Sequence, residues 1–385
     1  MIDSQLSKVV ETVRTFPVII EKFKEVVLAN LVLLGEIPAP TGLEKNRMDF
    51  IIERMAEYGV EMCATDELGN GLVFLPGEKG DKTLLIFAHI DTPFEQCVDH
   101  TFSVHADSVH GPGVADNSLG VAVLMSLPFL LDKMEIRLKN NLMLLFGVKN
   151  LHQANQEGLR FFLANTNQPI DVGIILEGAQ LGRLQFKSVA SLGGHISCQI
   201  NRRISQESAV RVLCEIVGSL TQMDLPADTH TFLTLGAIKA GVAFKYPARD
   251  GFLEFQLSSS SDITIEELTA KLYQILDNIS QDPGISAHFR QIALSKSGGI
   301  DSSHPLVLAA RKIQEVLKIT PIESIYNSVV SPFVEHNIPA LCLGITEAEN
   351  VNYEDELIQI KPISTGIAQL MGMLMAIDGG ISCKV

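Results

Sequence analysis

The residues best suited to catalysis or metal binding begin with His89 and Asp91, which directly follow the apolar run TLLIFA at 83–88. Residues two apart on an extended chain face the same side, so the imidazole and the carboxylate lie together. A carboxylate beside the second ring nitrogen is the usual support of a metal-bound histidine. The alternative interpretation is a histidine with satisfied hydrogen bonds beside a turn-forming Asp-Thr-Pro.

Two further acidic residues stand beside apolar or glycine-rich segments. Asp116 lies in GPGVADNSLG at 111–120, a loop that leads into an apolar helix and lacks the GxGxxG spacing of a dinucleotide site. A carboxylate at this place can bridge metal ions or cap the helix. Glu177 follows the apolar run VGIIL, and a charge at the end of a buried strand needs a partner such as a cation. His89, Asp116 and Glu177 together form a ligand set suited to zinc or a similar divalent ion.

These residues converge only if a sheet positions them. From about residue 40 to 185, helical stretches alternate with apolar runs that are typical of strands buried on both faces. This pattern predicts an α/β sandwich with a largely parallel sheet. The carboxyl ends of parallel strands meet at one edge, so we expect His89 and Glu177 there. The same pattern returns after Ser297.

A different pattern interrupts the large domain. Residues 187–296 follow the order strand, helix, strand, strand, helix, strand, which predicts a small inserted α+β domain. Within it, Thr264 and Glu267 have the spacing of a capping box and predict the start of an amphipathic helix. The expected domains are therefore residues 1–186 with 297–385, and residues 187–296.

Composition argues against several classes of protein. With 385 residues, 46% hydrophobic and 19% charged, the chain is long enough for two cores. The net charge of −15 and the absence of a basic, aromatic stretch argue against nucleic-acid binding. The longest apolar runs, 26–34 and 119–131, are shorter than the roughly 18 to 20 residues that span a bilayer, so no membrane span is expected. Six scattered cysteines and an N-terminus without an export signal predict reduced thiols and a cytoplasmic location.

The chain resembles the co-catalytic zinc exopeptidases, a family that includes peptidase T, aminoacylase and succinyl-diaminopimelate desuccinylase. The resemblance runs from about Leu34 onward and rests on the order and spacing of five segments. They are AHIDTPFE at 88–95, GPGVADNSLG at 111–120, IILEG at 174–178, GAIKAGVAFKYPARD at 236–250 and NIPALCLGITEAEN at 337–350.

The resemblance implies a hydrolase of small peptides or N-acyl amino acids, with a ferredoxin-like inserted domain that forms a lid and a homodimer contact. It implies that His89 and Glu177 hold one metal ion, that Asp116 bridges to a second, and that Asp91 orients His89. It further implies a cis peptide bond between Asp116 and Asn117.

Several positions depart from the family pattern. Lys149 and Asn150 stand where the family has two consecutive glutamates, one the general base and one a ligand of the second metal. In an alternative register Gln156-Glu157-Gly158 takes that place and leaves Glu157 as the carboxylate. Asn352 replaces a ligand histidine four residues before Glu356. In the inserted domain, Lys245 and Ser258 replace an asparagine and an arginine that bind the substrate carboxylate in relatives.

These departures predict one divalent metal, zinc, rather than two. If Lys149 faces Asp116, its ammonium could replace the second cation, with an attraction of about 4 kcal/mol at ~4 Å and an effective dielectric constant of ~20. The expected function is a metal-dependent hydrolase of exopeptidase, dipeptidase or aminoacylase type with an impaired dimetal site, in which Asp91 and Glu157 are the catalytic candidates. The alternative is an inactive homologue that binds a small ligand or a partner.

A serine hydrolase is a weaker alternative, suggested by Asp301-Ser-Ser-His304. The chain has no GxSxG motif, and these residues are more typical of a cap for a helix that begins at Pro305. Among the other histidines, His152 and His195 lie nearest to the expected cleft or domain junction.

Overall fold

The computed structural model of the protein describes residues 2–323 and 329–381. The described chain divides into two compact units. The second unit extends from Ser188 to Gly298, and the first is made largely of the chain on both sides of it.

The helices of the described chain are α1 Ile2–Val13, α2 Phe16–Ile20, α3 Lys24–Gly35, α4 Lys45–Glu57, α5 Leu119–Lys133, α6 Glu157–Asn165, α7 Ala209–Thr221, α8 Asp262–Ile279, α9 Pro305–Val316, α10 Ser331–Glu335 and α11 Ile363–Asp378. The strands are β1 Cys63–Thr65, β2 Gly71–Leu75, β3 Thr83–His89, β4 Ser103–Val104, β5 Ser108–His110, β6 Asn141–Gly147, β7 Val172–Ala179, β8 Leu184–Gln185, β9 Lys187–Ser188, β10 Ala190–Ile200, β11 Phe232–Ala240, β12 Asp250–Ser259, β13 Ile285–Ser295, β14 Gly298–Gly299, β15 Ala340–Thr346, β16 Ala348–Glu349 and β17 Leu357–Gln359.

A seven-stranded sheet in the order β1-β2-β6-β3-β7-β15-β8 forms the centre of the first unit. The four central strands β6, β3, β7 and β15 are parallel, whereas β1, β2 and β8 pair in antiparallel fashion. The predicted α/β fold is confirmed, with a mixed sheet whose parallel order is confined to its centre. A smaller antiparallel sheet contains β16, β17, β5 and β4.

Burial explains why the central strands form where the apolar runs predict them. Every residue of β3 and of β15 is buried, and so are most residues of α5 and α11. Strands covered on both faces have no polar side to maintain, so their sequences are apolar without alternation. The sheet therefore has a fully buried centre, and well-packed strands carry the polar side chains near its carboxyl edge.

The strand register brings residues of three strands to that edge. His89, the last residue of β3, pairs with Gly147, the last residue of β6. On the other side of β3, Phe87 pairs with Ile175 of β7, two residues before Glu177. His89 and Glu177 are therefore at the same level on neighbouring parallel strands, as predicted.

The second unit is a four-stranded antiparallel sheet in the order β11-β12-β10-β13. Its element order, β10, α7, β11, β12, α8 and β13, is the ferredoxin-like order that the sequence predicts. The two helices bury an apolar stripe against the sheet, including Leu213 of α7 and Leu272 of α8.

The capping box predicted at Thr264 is wrong. Helix α8 begins at Asp262, and the Ser261 hydroxyl caps it by accepting a hydrogen bond from the Thr264 backbone N–H at 3.3 Å. Serine and threonine both serve as caps, so the choice depends on the backbone, which leaves the extended conformation after Ser261.

One described stretch, Val114–Lys133, which contains the apolar run 119–131, is long and apolar enough to cross a bilayer by length and composition alone. Within this stretch, 83% of the 18-residue window with the highest hydropathy is buried in the protein, as in a core helix.

None of the described cysteines forms a disulfide, as predicted, and Cys383 lies outside the described residues.

Candidate metal centre

Three side chains from different segments converge at the carboxyl edge of the large sheet. His89 ends β3, Asp116 lies in the turn Val114–Ser118 before α5, and Glu177 lies on β7. One ligand atom from each lies within 4.8 Å of the others, and His89 Nε2 is 3.1 Å from Asp116 Oδ1. The convergence that the sequence predicts is therefore present in the fold.

Asp91 supports the His89 ring from its other side. His89 Nδ1 lies 3.3 Å from Asp91 Oδ1 and 3.1 Å from the Asp91 backbone oxygen. A proton on Nδ1 therefore has acceptors, and Nε2 is the nitrogen that faces Asp116. The second Asp91 oxygen, Oδ2, accepts hydrogen bonds from the backbone N–H groups of Asn150 at 3.0 Å and Leu151 at 2.9 Å.

The Asp116 loop packs tightly against β7. The peptide bond between Asp116 and Asn117 is cis, as the resemblance implies. A Cβ atom at Gly178 would lie 2.4 Å from the Ala115 backbone oxygen, so any residue other than glycine would clash there. The glycine after Glu177 therefore lets the Asp116 loop approach β7 closely, so that the Asp116 and Glu177 carboxylates can contact the same cation.

The Glu356 carboxylate holds the same loop through hydrogen bonds to its backbone. Its side chain is fully buried, and Oε2 accepts hydrogen bonds from the backbone N–H groups of Ala115 at 2.9 Å and Asp116 at 3.3 Å. Oε1 accepts a hydrogen bond from the backbone N–H of Asn352 at 2.7 Å. Burial raises the pKa of Glu356 to about 7 against the effect of these hydrogen bonds.

Burial and neighbouring charges shift the pKa values of His89, Glu177 and Asp91. Burial disfavours protonation of His89, but hydrogen bonds and attraction from Asp116 and Asp91 outweigh it, so the pKa of His89 lies well above its usual value. Burial also raises the pKa of Glu177, and the positive charge of Arg183 opposes this increase. The pKa of Asp91 is lowered because His89 and its other hydrogen-bond donors outweigh the effect of burial.

Lys149 is one of the positions at which the sequence departs from the family pattern. Lys149 does not pair with Asp116: its Nζ is 3.6 Å from Glu157 Oε1, and its backbone N–H donates to Glu44 Oε1 at 2.9 Å. The condition under which the Lys149 ammonium could replace a second cation, that it faces Asp116, is therefore not met. No second group of three metal-ligating side chains occurs in the part of the chain that the structure describes.

Other predicted candidates lie outside the group of three. His304 caps α9 by accepting from the Leu306 N–H at 3.2 Å, which confirms the helix-cap interpretation. His195 Nδ1 lies 3.2 Å from Glu254 Oε1 on the neighbouring strand. His152 begins the short turn His152–Ala154, Lys245 Nζ lies 5.6 Å from the centre of the Phe244 ring, and Ser258 is buried and accepts a hydrogen bond from Gln256.

Sequence reasoning missed Thr41 and Glu44, which belong to the loop before α4. The Thr41 hydroxyl donates to Asp91 Oδ2 at 2.8 Å, and Glu44 Oε1 accepts from the Gly42 and Lys149 N–H groups. The Pro-Thr-Gly run indicates a turn, but no residue type within it points to the carboxylate that it supports.

Comparison with known proteins supports the metallopeptidase interpretation at the level of fold. The sequence model of Peptidase family M28 matches residues 70–148, which include His89 and Asp116. No curated protein matches the sequence significantly.

Solved structures match the chain over nearly its whole length. The di-peptidase Dug1p from Saccharomyces cerevisiae has a TM-score of 0.77 and 12% identity, with 96% of this chain and 99% of that chain covered. A tripeptidase from Staphylococcus aureus has a TM-score of 0.73 and 16% identity, with 92% and 98% covered. The YXEP protein of Bacillus subtilis, a dinuclear metal-binding peptidase from the M20 family, has a TM-score of 0.68 and 14% identity, with 94% and 100% covered.

This chain has the fold of these peptidases.

The donor set of His89, Asp116 and Glu177 fits a divalent ion. Ligand atoms that lie about 2.0–2.2 Å from a tetrahedral zinc ion are about 3.4 Å from one another. The His89–Asp116 pair already has a separation of 3.1 Å, and the whole group lies within 4.8 Å. An imidazole nitrogen with two carboxylates is also a donor set that zinc accepts.

Proposed function

We propose that this chain is a metal-dependent hydrolase of peptide or amide bonds, of exopeptidase, dipeptidase or aminoacylase type. The observation that carries this proposal is the convergence of His89, Asp116 and Glu177 at the carboxyl edge of a metallopeptidase fold. Small peptides or N-acyl amino acids are the proposed substrates. The matched dipeptidase and tripeptidase support a short peptide as the substrate.

We assign one divalent cation, zinc, to His89, Asp116 and Glu177. When bound, such a cation polarises an amide carbonyl and lowers the pKa of water. Asp91 keeps the His89 proton on Nδ1, so that Nε2 remains available as a donor atom. Three protein ligands leave a coordination position open, as in catalytic rather than structural zinc sites.

Glu157 is the proposed general base of the reaction. Hydrolysis of an amide needs a group that takes a proton from the attacking water and returns it to the leaving nitrogen. The Glu157 side chain is 49% exposed and lies 3.6 Å from the Lys149 ammonium, which can restrain it. Lys149 follows β6, the strand whose last residue pairs with His89, so the pair stands on the same edge of the sheet as the metal centre.

A second candidate function is ligand binding without catalysis. Lys149 and Asn352 stand where the family has an acidic residue and a histidine ligand. An ammonium cannot act as the general base while it is protonated, and an amide oxygen is a weak zinc ligand. In this alternative the same cleft binds a small molecule or partner and releases it unchanged.

A hydrolysis assay combined with variants distinguishes the two candidates. The purified protein, loaded with zinc, cobalt or manganese, is tested against dipeptides, tripeptides and N-acyl amino acids. Hydrolysis that is lost in His89→Ala and Asp116→Ala but retained in the exposed control His105→Ala supports the hydrolase. No turnover of any of these substrates by the metal-loaded protein contradicts it and favours the binding protein.

We also propose a homodimer through the second unit and a cytoplasmic location. Strand β11 lies at the edge of its sheet, and its Leu235 and Ile238 side chains are 40% and 54% exposed. An apolar edge strand is a template for pairing with a second copy. Five unpaired cysteines among the described residues support a reducing compartment.

A further inference from the structure

Arg47 is a fully buried cation in the first turn of α4. Its guanidinium donates to oxygen atoms of four residues. Nε and Nη2 donate to the Ile37 backbone oxygen at 3.0 and 2.8 Å, and Nη2 also donates to the Gly35 backbone oxygen at 3.1 Å. Nη1 donates to the Ile90 backbone oxygen at 2.9 Å and to the Ser118 hydroxyl at 3.3 Å.

No carboxylate within 4.0 Å of Arg47 neutralises it in the described residues, since its partners are carbonyls and a hydroxyl. Burial lowers the pKa of Arg47 to about 10, although attraction from Asp91 opposes this decrease. The side chain therefore remains charged at neutral pH. Burial of a charge is unfavourable, and an aliphatic side chain of similar size in its place is often neutral or stabilising. Stability of the core alone does not account for an arginine at this position.

Two of the four partners of Arg47, Ile90 and Ser118, belong to the two segments that carry the candidate ligands. Ile90 separates His89 from Asp91, and Ser118 is two residues after Asp116. The same nitrogen, Nη1, donates to both segments. A planar guanidinium presents its donors in a fixed arrangement, so it sets the distance between its acceptors.

We propose that Arg47 is a positioning residue that holds the His89 and Asp116 segments at the separation that metal binding requires. This inference rests on the proposed function, because it assumes that these two residues bind the cation. Supporting residues around metal ligands change metal affinity by about 10- to 100-fold when they are replaced. Replacement of Arg47 is therefore expected to weaken metal binding by at least about tenfold.

The test uses two substitutions and a matched control. Arg47→Met keeps most of the volume but removes the charge and all donors, whereas Arg47→Lys keeps the charge with fewer donors in a less fixed arrangement. Arg54→Met is the control, because Arg54 is on the same helix but pairs with Glu57 at 2.6 Å. Zinc affinity is measured by competition with a chromophoric chelator, and the visible spectrum of the cobalt-loaded protein reports ligand geometry.

The expected result is weaker zinc binding by at least about tenfold and an altered cobalt spectrum in Arg47→Met. A smaller loss is expected in Arg47→Lys and none in Arg54→Met. A folded Arg47→Met protein with unchanged affinity and spectrum overturns the proposal. If Arg47→Met does not fold, Ser118→Ala decides, since it removes one acceptor and leaves the buried charge in place: reduced affinity supports the proposal, and unchanged affinity overturns it.

The proposed function can fail separately from this inference. If the wild-type protein binds zinc but hydrolyses no substrate, the hydrolase proposal fails while the affinity comparison of the Arg47 variants remains decisive. If the wild-type protein binds no divalent ion, both fail.

Discussion

The side-chain amide of Asn117 bonds the two peptide groups that flank Glu177. Asn117 Nδ2 donates to the Leu176 backbone oxygen at 2.8 Å, and Asn117 Oδ1 accepts from the Gly178 N–H at 2.7 Å. Asn117 directly follows Asp116 and is 1% exposed. A single buried side chain thus joins the Asp116 loop to the strand that carries Glu177.

Replacement of Asn117 by alanine is expected to lower the free energy of unfolding by about 1–3 kcal/mol, because a buried N–H and a buried C=O lose their partners. Metal affinity is expected to fall as well, since Asp116 and Glu177 are no longer held together. Thermal or urea unfolding and a zinc competition titration measure the two effects. Asn165→Ala is the control, because its amide bonds Phe161 at the protein surface. Wild-type zinc affinity in Asn117→Ala would show that the amide does not organise the centre.

Metal affinity is expected to increase with pH. In the metal-free protein the pKa of His89 lies well above 6.5, because Asp116 and Asp91 stabilise its charged form against burial. The proton on Nε2 must leave before this nitrogen can donate to a cation, so protons and metal compete below the raised pKa. Affinity should therefore rise by up to about tenfold per pH unit for each proton released and level off above that pKa.

Zinc competition titrations between pH 6 and 9, with calorimetry in buffers of different ionisation enthalpy, measure the affinity and the protons released. Affinity that is constant across this range, with no proton release near neutral pH, contradicts the pKa shift assigned to His89.

Glu157→Gln is expected to reduce kcat by about 10²- to 10⁴-fold, because the amide cannot accept the proton of the attacking water. Zinc affinity should be unchanged, since Glu157 is not among the three candidate ligands. Steady-state kinetics and metal analysis of the same preparation separate the two effects. Glu61→Gln, an exposed glutamate before β1, is the control. Full activity in Glu157→Gln would assign the base to another residue.

Ile238→Lys is expected to convert the proposed dimer into a monomer, because a lysine on an edge strand opposes pairing with a second copy. Size-exclusion chromatography with light scattering gives the molar mass at several protein concentrations. Ile263→Lys, a change at a 68% exposed position of α8, is the control. A wild-type protein that is monomeric at all concentrations contradicts the homodimer, and a dimeric Ile238→Lys protein excludes this edge as its interface.

The sheet and the three convergent side chains could be predicted because both depend on local sequence. The strands that carry His89 and Glu177 are unbroken apolar runs, and each is followed at once by a polar residue. Parallel packing then places the strand ends together. The end of each apolar run therefore predicts the position of a metal-ligating side chain.

The side chains that hold the centre together could not be predicted, because their contacts connect distant parts of the chain. Glu356 bonds the N–H groups of Ala115 and Asp116 across about 240 positions, and Arg47 bonds Ser118 across 71. Lys149 shows the same limit at short range. Its backbone has a positive φ and its ammonium lies beside Glu157, and no pattern in the sequence indicates that turn.

The most direct test of the single metal centre is the metal content of the purified protein after saturation with zinc and removal of free ion. Mass spectrometry of the metal, combined with the protein concentration, should give one zinc ion per chain, and less than one tenth of that in His89→Ala/Asp116→Ala. Two ions per chain in the wild-type protein, or a full zinc content in the double variant, would contradict the assignment of one cation to His89, Asp116 and Glu177.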